Sequence, residues 1–300
     1  MRYVFLDDGG YVAMAKRYRK HARSIGLFKT LEQKRAENPN VDRLIGAVNV
    51  WYWDRDAVGL VRQLQAAGIE HILWSNAVAP DQLKALNTMN VLTSRYDIFQ
   101  DVMNPANFSK IRSTHQDWPT RAWPEDLMID ADGQWIRGWE IEGKDGGMYP
   151  CGVTCDRQAI PYADERIGEE LKTHPYLCRF IDTTTASPWR ECYSPSHPLT
   201  RSESRHWKME LLRLVCERFK LVTGSETGHD AAVPFVHYFE GMLSLGPYHH
   251  TVQQTSFANG QTVTVNLGEK AYTMADGSKL APLQLRVSTS PRTISTTASL

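Results

Sequence analysis

The sequence has no excess of charge of either sign and no long apolar run. Its 34 lysine and arginine residues balance 34 aspartate and glutamate residues. A balanced charge argues against nucleic acid or an anionic membrane as the main binding partner, because both attract a surplus of basic residues. No run of about 18 apolar residues occurs, so the sequence predicts no transmembrane helix.

Targeting and cofactor motifs are also missing. The first residues lack the apolar core of a signal peptide, because Asp7 and Asp8 interrupt it. A missing N-terminal segment would hide such a signal, so we make no prediction of the cellular compartment. Glycine-rich phosphate loops and the G-x-S-x-G motif of serine hydrolases are absent, so we predict no nucleotide cofactor and no serine triad.

The cysteines do not form a disulfide pattern. Their number, five, is odd, and their spacing is not compact. Cys151 and Cys155 form a C-x3-C pair, which suits half a zinc site or a local disulfide. No second pair completes a tetrahedral set, so we predict unpaired thiols and no bound metal.

What the sequence contains is typical of a globular protein that binds a neutral ligand. Hydrophobic residues make up 42% of the chain and charged residues 23%. Nine tryptophans are present, and their flat apolar faces can pack in a core or stack on sugar rings. With zero net charge, the composition favours a carbohydrate partner over nucleic acid.

Hydrophobic periodicity predicts strands that alternate with helices, the pattern of a parallel sheet covered by helices. A helix is predicted over 10–37, and a capping box of Thr200 and Glu203 opens another that ends near Phe219. Other helices are predicted over 56–67 and 80–89. The predicted strands end at or near Asp54, Asn76, Asp97, Asp182, Glu226 and Glu240.

We therefore predict an α/β fold, a TIM-like (β/α) barrel that is incomplete because about six strands are found where eight are usual. The barrel is assigned to 41–250 with a long insertion at 98–175, which contains a β-hairpin. A helical segment at 1–40 precedes it. An antiparallel β segment at 251–289 and a disordered tail at 290–300 follow it.

The carboxyl ends of barrel strands form the active site in such folds. Two acids at these ends are candidate catalytic residues, and we expect the other polar and aromatic side chains to bind substrate. The predicted substrate-binding residues are Trp51, Trp53, Asp54, Trp74, Asn76, Asp97, His229 and Glu240.

Asp182 and Glu226 are the candidate catalytic pair of a glycosidase, which needs two carboxyl groups in different environments. Asp182 is followed by three threonines, whose hydroxyls could stabilise its ionised form as nucleophile. Small neighbours around Glu226 leave space for a substrate, which suits an acid/base. Alternatively, Asp182 caps a loop and Glu226 is a solvated turn residue. For a retaining enzyme we expect the carboxyl groups about 5–5.5 Å apart.

The segments FIDTTTASPWRECYSPSHPLTR and LVTGSETGHD resemble bacterial glycoside hydrolases related to families 129 and 101. Similar segments are DGGYVAMAKRYR, VNVWYWD and FANGQTVTVNLG. The resemblance implies a retaining α-N-acetylgalactosaminidase acting on O-glycans, or a related α-glycosidase. It also implies that Asp182 is the nucleophile and Glu226 the acid/base.

The chain departs from that family in length. The β-sandwich expected before the barrel is missing, and few residues separate the last predicted barrel strand from the β segment. The chain thus resembles a truncated or internally deleted member. Two alternatives stay open: a vestigial carbohydrate-binding barrel without catalysis, and a metal-dependent hydrolase that uses the acids and His229 as ligands.

Overall fold

The fold was analysed in a computed structural model that describes residues 4–53, 55–240, 252–256, 261–266 and 268–289. The chain divides into two compact units, Met1–Met242 and Leu243–Leu300. None of the described helices is long and apolar enough to cross a membrane.

In the described part of the chain, the first unit contains six α-helices. Where one helix was predicted over 10–37, two form, because Thr30 and Gln33 build a capping box that starts a new helix. The sixth helix continues into one π-helical turn, Leu214–Arg218. The helices are α1 Gly10–Ser24, α2 Leu31–Glu37, α3 Ala57–Ala66, α4 Pro80–Thr88, α5 Ala159–Leu171 and α6 Arg201–Arg213.

The first unit also contains ten described strands. They are β1 Val48–Val50, β2 Ile72–Trp74, β3 Leu92–Thr93, β4 Tyr96–Asp97, β5 Asp101–Val102, β6 Arg137–Glu142, β7 Met148–Val153, β8 Cys178–Ile181, β9 Val222–Glu226 and β10 Tyr238–Glu240. Seven of them run parallel, in the orders β1-β2-β3 and β4-β8-β9-β10. The parallel pattern predicted from the sequence is therefore present.

The two parallel sheets adjoin where one strand was predicted to end at Asp97. That strand is split into β3 and β4, and the amide of Leu177, just before β8, donates to the Thr93 carbonyl over 3.1 Å. No backbone ladder joins β1 to β10 among the described residues, so the structure is a mixed α/β fold without a closed barrel.

The segment 98–175 combines irregular chain with a small antiparallel sheet and a helix. Its strands follow the order β5-β7-β6, and a tight turn at Asp145 and Gly146 connects β6 to β7. Helix α5 occupies the end of this segment and packs on α6 and β8 in an apolar cluster that includes Ile167, Ile181 and Leu212. Part of the predicted insertion is thus a helix that packs on the parallel sheet.

Side chains of β8 alternate between two environments. Cys178 packs with Leu73, Leu92 and Val222 of neighbouring strands, whereas Ile181 packs with the residues of α5 and α6. Arg179, on the same face as Ile181, is fully buried. The two-residue period of a strand therefore separates an inner face from a face covered by helices.

A buried ion cluster stabilises the helix-covered face. The Arg179 guanidinium lies 2.7 Å from an Asp97 carboxylate oxygen and also pairs with Glu170. Arg95 bridges Glu170, at 2.6 Å, to Asp117. Because a buried charge is costly without its partner, breaking such a pair typically costs about 3–5 kcal/mol.

The second unit contains five described strands that pair antiparallel, in the orders β11-β12-β15 and β13-β14. Its buried Asn266 has an amide nitrogen that donates to the carbonyls of Lys270 and Leu280 over 2.9 and 3.0 Å. The predicted tail at 290–300 lies outside the described residues. The strands are β11 Val252–Ser256, β12 Gln261–Asn266, β13 Tyr272–Thr273, β14 Lys279–Leu280 and β15 Gln284–Thr289.

Gly224 offers a test of the packing between β9 and β10. A Cβ at this position would lie 2.2 Å from the Tyr238 ring. We expect Gly224→Ala to lower the free energy of unfolding by about 1–3 kcal/mol, because the buried ring must move. Urea denaturation measures the change.

Gly168→Ala is the matched control. Gly168 lies inside α5, where an added Cβ would be 3.8 Å from the nearest ring atoms, an ordinary contact. We expect this variant to be neutral or stabilised by about 0.5–1 kcal/mol, since alanine favours helix. Equal loss in both variants would contradict the packing argument.

Candidate active site

Two carboxylic acids meet at the carboxyl ends of adjacent parallel strands. Asp182 directly follows β8, and Glu226 is the last residue of β9. The two strands pair with Ile181 opposite Ser225, so the residue after each of these lies on the inner face of its strand. The side chains of Asp182 and Glu226 are in hydrogen-bonding contact. They are closer than the spacing expected for a retaining pair.

The environment of the pair disfavours charge, with Asp182 buried and Glu226 half-buried. Burial, and then the charge of Glu226, raise the pKa of Asp182 to about 7. Burial also raises the pKa of Glu226, although its contacts with Asp182 and with the Thr183 amide oppose the shift. Two carboxyl groups in contact cannot both ionise easily, because their charges repel. The pair therefore keeps a proton at a pH above the usual pKa range of carboxylic acids.

The backbone turns sharply after each acid. Thr183 has a φ of 47° and Thr227 a φ of 58°, both in the left-handed region that β-branched residues rarely adopt. Strained conformations of this kind cluster at functional sites. The structure therefore holds both acids at positions where the chain leaves the sheet.

Two of the three threonine hydroxyls after Asp182 do not act as expected from the sequence. The Thr184 hydroxyl donates to the main-chain carbonyl of Asp182 over 3.2 Å, and the Thr185 hydroxyl donates to the carbonyl of Glu226. They thus bind the backbone and not the carboxylate.

Tyr96 supplies the side-chain donor instead. Its hydrogen bond to Asp182 lowers the pKa of that carboxyl and opposes the effect of burial. The Tyr96 ring stacks on Phe180, with centroids 5.8 Å apart and planes 15° apart, and Phe180 in turn contacts Tyr238 at 6.1 Å. These three rings form an aromatic layer on the inner face of β4, β8 and β10.

A second group of predicted residues lies at the ends of β1 and β10. Trp51 stacks on Trp53 with centroids 6.2 Å apart, and it meets Tyr96 edge-on at 5.8 Å. The Trp51 indole donates to Glu240 over 3.1 Å. Trp53 is 79% exposed and presents a free aromatic face. The charge of Glu240 is close enough to raise the pKa of Glu226.

Three predicted substrate-binding residues are occupied elsewhere. Asp97 is fully buried in the ion pair with Arg179, on the face opposite Tyr96. Trp74 is fully buried in the apolar core between β2 and its helices, so its ring is not open to a ligand. The Asn76 side chain accepts from the Tyr52 amide and joins the ends of β1 and β2.

The remaining predicted positions are His229 and Asp54. His229 lies edge-on to Trp189 with centroids 5.5 Å apart, and its two buried ring nitrogens have no hydrogen-bond partner among the described residues. Asp54 lies outside the described residues. No described group of three metal-ligating side chains includes Asp182, Glu226 or His229.

Sequence reasoning missed three residues from the 98–175 segment. Asp101 lies near enough to raise the pKa of Asp182 and Tyr96, and burial raises the pKa of Asp101 itself. His115 packs on Tyr96 with ring centroids 5.9 Å apart. The Trp139 amide donates to Asp101 over 3.1 Å, and the Trp139 side chain is 71% exposed. Only the position of Asp101 shortly after a strand end signalled a site residue.

Comparison with known proteins identifies the family. Residues 43–258 match the family described as glycosyl hydrolases related to the GH101 family, GH129. The chain belongs to this family. No curated protein matches it.

The chain is similar to solved structures of the α-N-acetylgalactosaminidase NagBb from Bifidobacterium bifidum. The GalNAc complex is 20% identical with a TM-score of 0.61, over 83% of this chain and 45% of that chain. The ligand-free form is 21% identical with a TM-score of 0.59, over 77% of this chain and 44% of that chain. The present chain thus has a fold similar to that part of NagBb and spans less than half of the NagBb chain.

The raised pKa of Asp182 predicts how stability depends on pH. Because the folded-state pKa lies above the usual 3.8, the folded protein binds a proton more tightly than the unfolded chain, and stability is lost as pH rises towards 7. Relative to Asp182→Asn, the wild-type free energy of unfolding should fall by about 2 kcal/mol or more between pH 4.5 and 8. Denaturant titration at several pH values measures it.

Asp132→Asn is the control for that experiment, since Asp132 is an exposed turn residue. Its unfolding free energy should run parallel to that of the wild type across the same pH range. A parallel curve for Asp182→Asn as well would show that the Asp182 pKa is not raised.

Proposed function

We propose that this protein is a retaining glycosidase for an α-linked sugar, with α-N-acetylgalactosaminide as the first substrate to test. The observation that carries the proposal is the contact of two carboxyl groups, one buried and one half-buried, at the ends of adjacent parallel strands. Family membership supports it, since a glycosyl hydrolase needs such a pair. We also propose that the parallel strands are part of a (β/α) barrel.

The contact between the two carboxyl groups is nearer to the separation of a retaining pair than to that of an inverting pair. Inverting enzymes keep their carboxyl groups about 6.5–9.5 Å apart to admit a water between them and the sugar, and retaining enzymes keep theirs about 5–5.5 Å apart. Asp182 and Glu226 are in contact in the free protein, and this contact raises the pKa of Asp182 and lowers that of Glu226. A sugar bound between them would move the two carboxyl groups apart. The separation of about 5–5.5 Å found in retaining enzymes would be reached before the larger separation found in inverting enzymes.

In the proposed first step, an ionised Asp182 oxygen attacks the anomeric carbon and forms a glycosyl–enzyme ester. The bond to the leaving oxygen breaks, and Glu226 gives its proton to that oxygen. In the second step Glu226 takes a proton from water, the water oxygen attacks the anomeric carbon, and the Asp182 carboxylate is released.

Tyr96 favours the proton distribution that this reaction needs. Its hydrogen bond stabilises the ionised form of Asp182 and so opposes burial and the charge of Glu226, which both favour the protonated form. Glu226 Oε2 is buried and has no hydrogen-bond partner among the described residues, so it would become available to a leaving oxygen only when a bound sugar opens the pair. Trp51 and Trp53 offer the aromatic surface on which a sugar ring can stack.

Replacing Asp182 and replacing Glu226 should lower kcat in different ways. Asp182→Asn should lower kcat by at least about 10³-fold on every substrate, because no nucleophile remains. Glu226→Gln should lower kcat by about 10²–10⁴-fold on alkyl α-glycosides and far less on dinitrophenyl α-glycosides, whose leaving groups need no proton. Steady-state kinetics on aryl and alkyl α-N-acetylgalactosaminides and α-galactosides measures both.

Glu140→Gln, on the exposed face of β6, is the control and should match the wild type. Equal losses on both substrate types in Glu226→Gln would contradict the acid role. Binding of the sugars by the wild type without turnover would instead favour the non-catalytic carbohydrate-binding protein.

The role of Tyr96 predicts a shift in the pH profile. Tyr96→Phe removes the hydrogen bond that lowers the pKa of Asp182, so the acidic limb of kcat/KM should move to higher pH. Tyr149→Phe is the control, because that hydroxyl bonds Asp145 over 2.7 Å on an exposed hairpin. If the acidic limb of kcat/KM stays at the same pH in Tyr96→Phe, Tyr96 does not lower the pKa of Asp182.

A further inference from the structure

A second cluster of reactive side chains lies outside the proposed active site. Cys155, Cys192 and His197 are all buried, and their ligand atoms lie within 4.8 Å of one another. Cys155 follows β7, and the other two belong to the segment between Asp182 and α6. The two thiols are packed in an apolar cluster with Met128, Val153 and Leu199.

The hydrogen bonds of His197 fix which nitrogen can bind a metal. Its Nε2 lies 2.9 Å from the main-chain carbonyl of Glu125, and a carbonyl can only accept, so Nε2 carries the proton. The lone pair is therefore on Nδ1, which lies 3.5 Å from the Cys192 sulfur. A histidine that donates its other N–H to a carbonyl is the usual arrangement of a metal ligand.

The spacing also suits zinc. With bonds of about 2.3 Å to sulfur and 2.0–2.1 Å to nitrogen, a tetrahedral zinc site places sulfur and nitrogen about 3.5 Å apart. The separation of Cys192 Sγ and His197 Nδ1 matches this value. The Ile129 amide donates to the Cys192 sulfur over 3.4 Å, as a donor to a thiolate ligand would.

We propose that Cys155, Cys192 and His197 bind a zinc ion, with a water molecule as the fourth ligand. Binding releases one proton from each thiol, so two thiolates neutralise the two positive charges of the metal. A neutral site can be buried in an apolar cluster at far lower cost than a charged one. The C-x3-C pair in the sequence contributes one ligand, Cys155, and the second cysteine comes from a distant part of the chain.

This zinc site would fix the segment that follows the nucleophile candidate. Cys192 lies two residues after Arg190, whose charge lowers the pKa of Asp101, and three residues after Trp189, which contacts His229. The metal would join this segment to the antiparallel sheet at the end of β7. Its role would thus be to position residues beside the catalytic pair, without chemistry of its own.

Metal analysis of the full chain tests the proposal. After growth with added zinc and gel filtration, the wild type should contain about one zinc per chain, and its X-ray absorption should show sulfur neighbours at about 2.3 Å. Cys192→Ser and His197→Ala should each lower the zinc content at least tenfold. Cys216→Ser, which replaces a partly exposed cysteine outside the cluster, should leave it unchanged.

The wild-type measurements decide the question even where a variant fails to fold. A zinc-free wild type in which thiol titration after denaturation finds all five cysteines free would overturn the proposal. The proposal would also be overturned by a zinc-free wild type with two cysteines missing from that titration, which would indicate a disulfide. Cobalt exchanged for zinc should add thiolate-to-metal absorption in the near ultraviolet, and its absence would contradict thiolate ligation.

Discussion

The alternation of side chains along four parallel strands determines what the acidic residues of this protein do. Asp182 and Glu226 lie on the inner faces of their strands and meet there, whereas Asp97 lies on the outer face and pairs with Arg179. A shift of one residue along a strand exchanges these two environments. The same type of side chain is therefore part of a contacting acid pair on one face and of an ion cluster on the other.

Much of the fold could be predicted from the sequence, because strands and helices have distinct hydrophobic periods. The positions of β8, β9 and α6 follow directly from that pattern. The two acids could also be placed, since each ends a strand. The family resemblance then assigned them roles that periodicity alone could not.

The remaining site residues depend on features that a strand's position in the sequence does not show. Asp97 was chosen because it ends a strand, but its side chain points away from the inner face, and Tyr96, one residue earlier, occupies the expected place. Trp74 was chosen in the same way and lies in the core. Asp101 and His115 approach the site through tertiary contacts of an irregular segment, which no local pattern encodes.

The aromatic layer of Tyr96, Phe180 and Tyr238 limits the side from which a ligand can approach the two acids. Gly224 leaves room for the Tyr238 ring to lie directly against β9, and beneath it Cys178 is packed among apolar side chains. The inner face of these strands is therefore filled with side chains below the acids, so within the described strands a ligand reaches the pair from the carboxyl ends. In the proposed reaction the sugar, its leaving group and the water would all pass on that side, one after another.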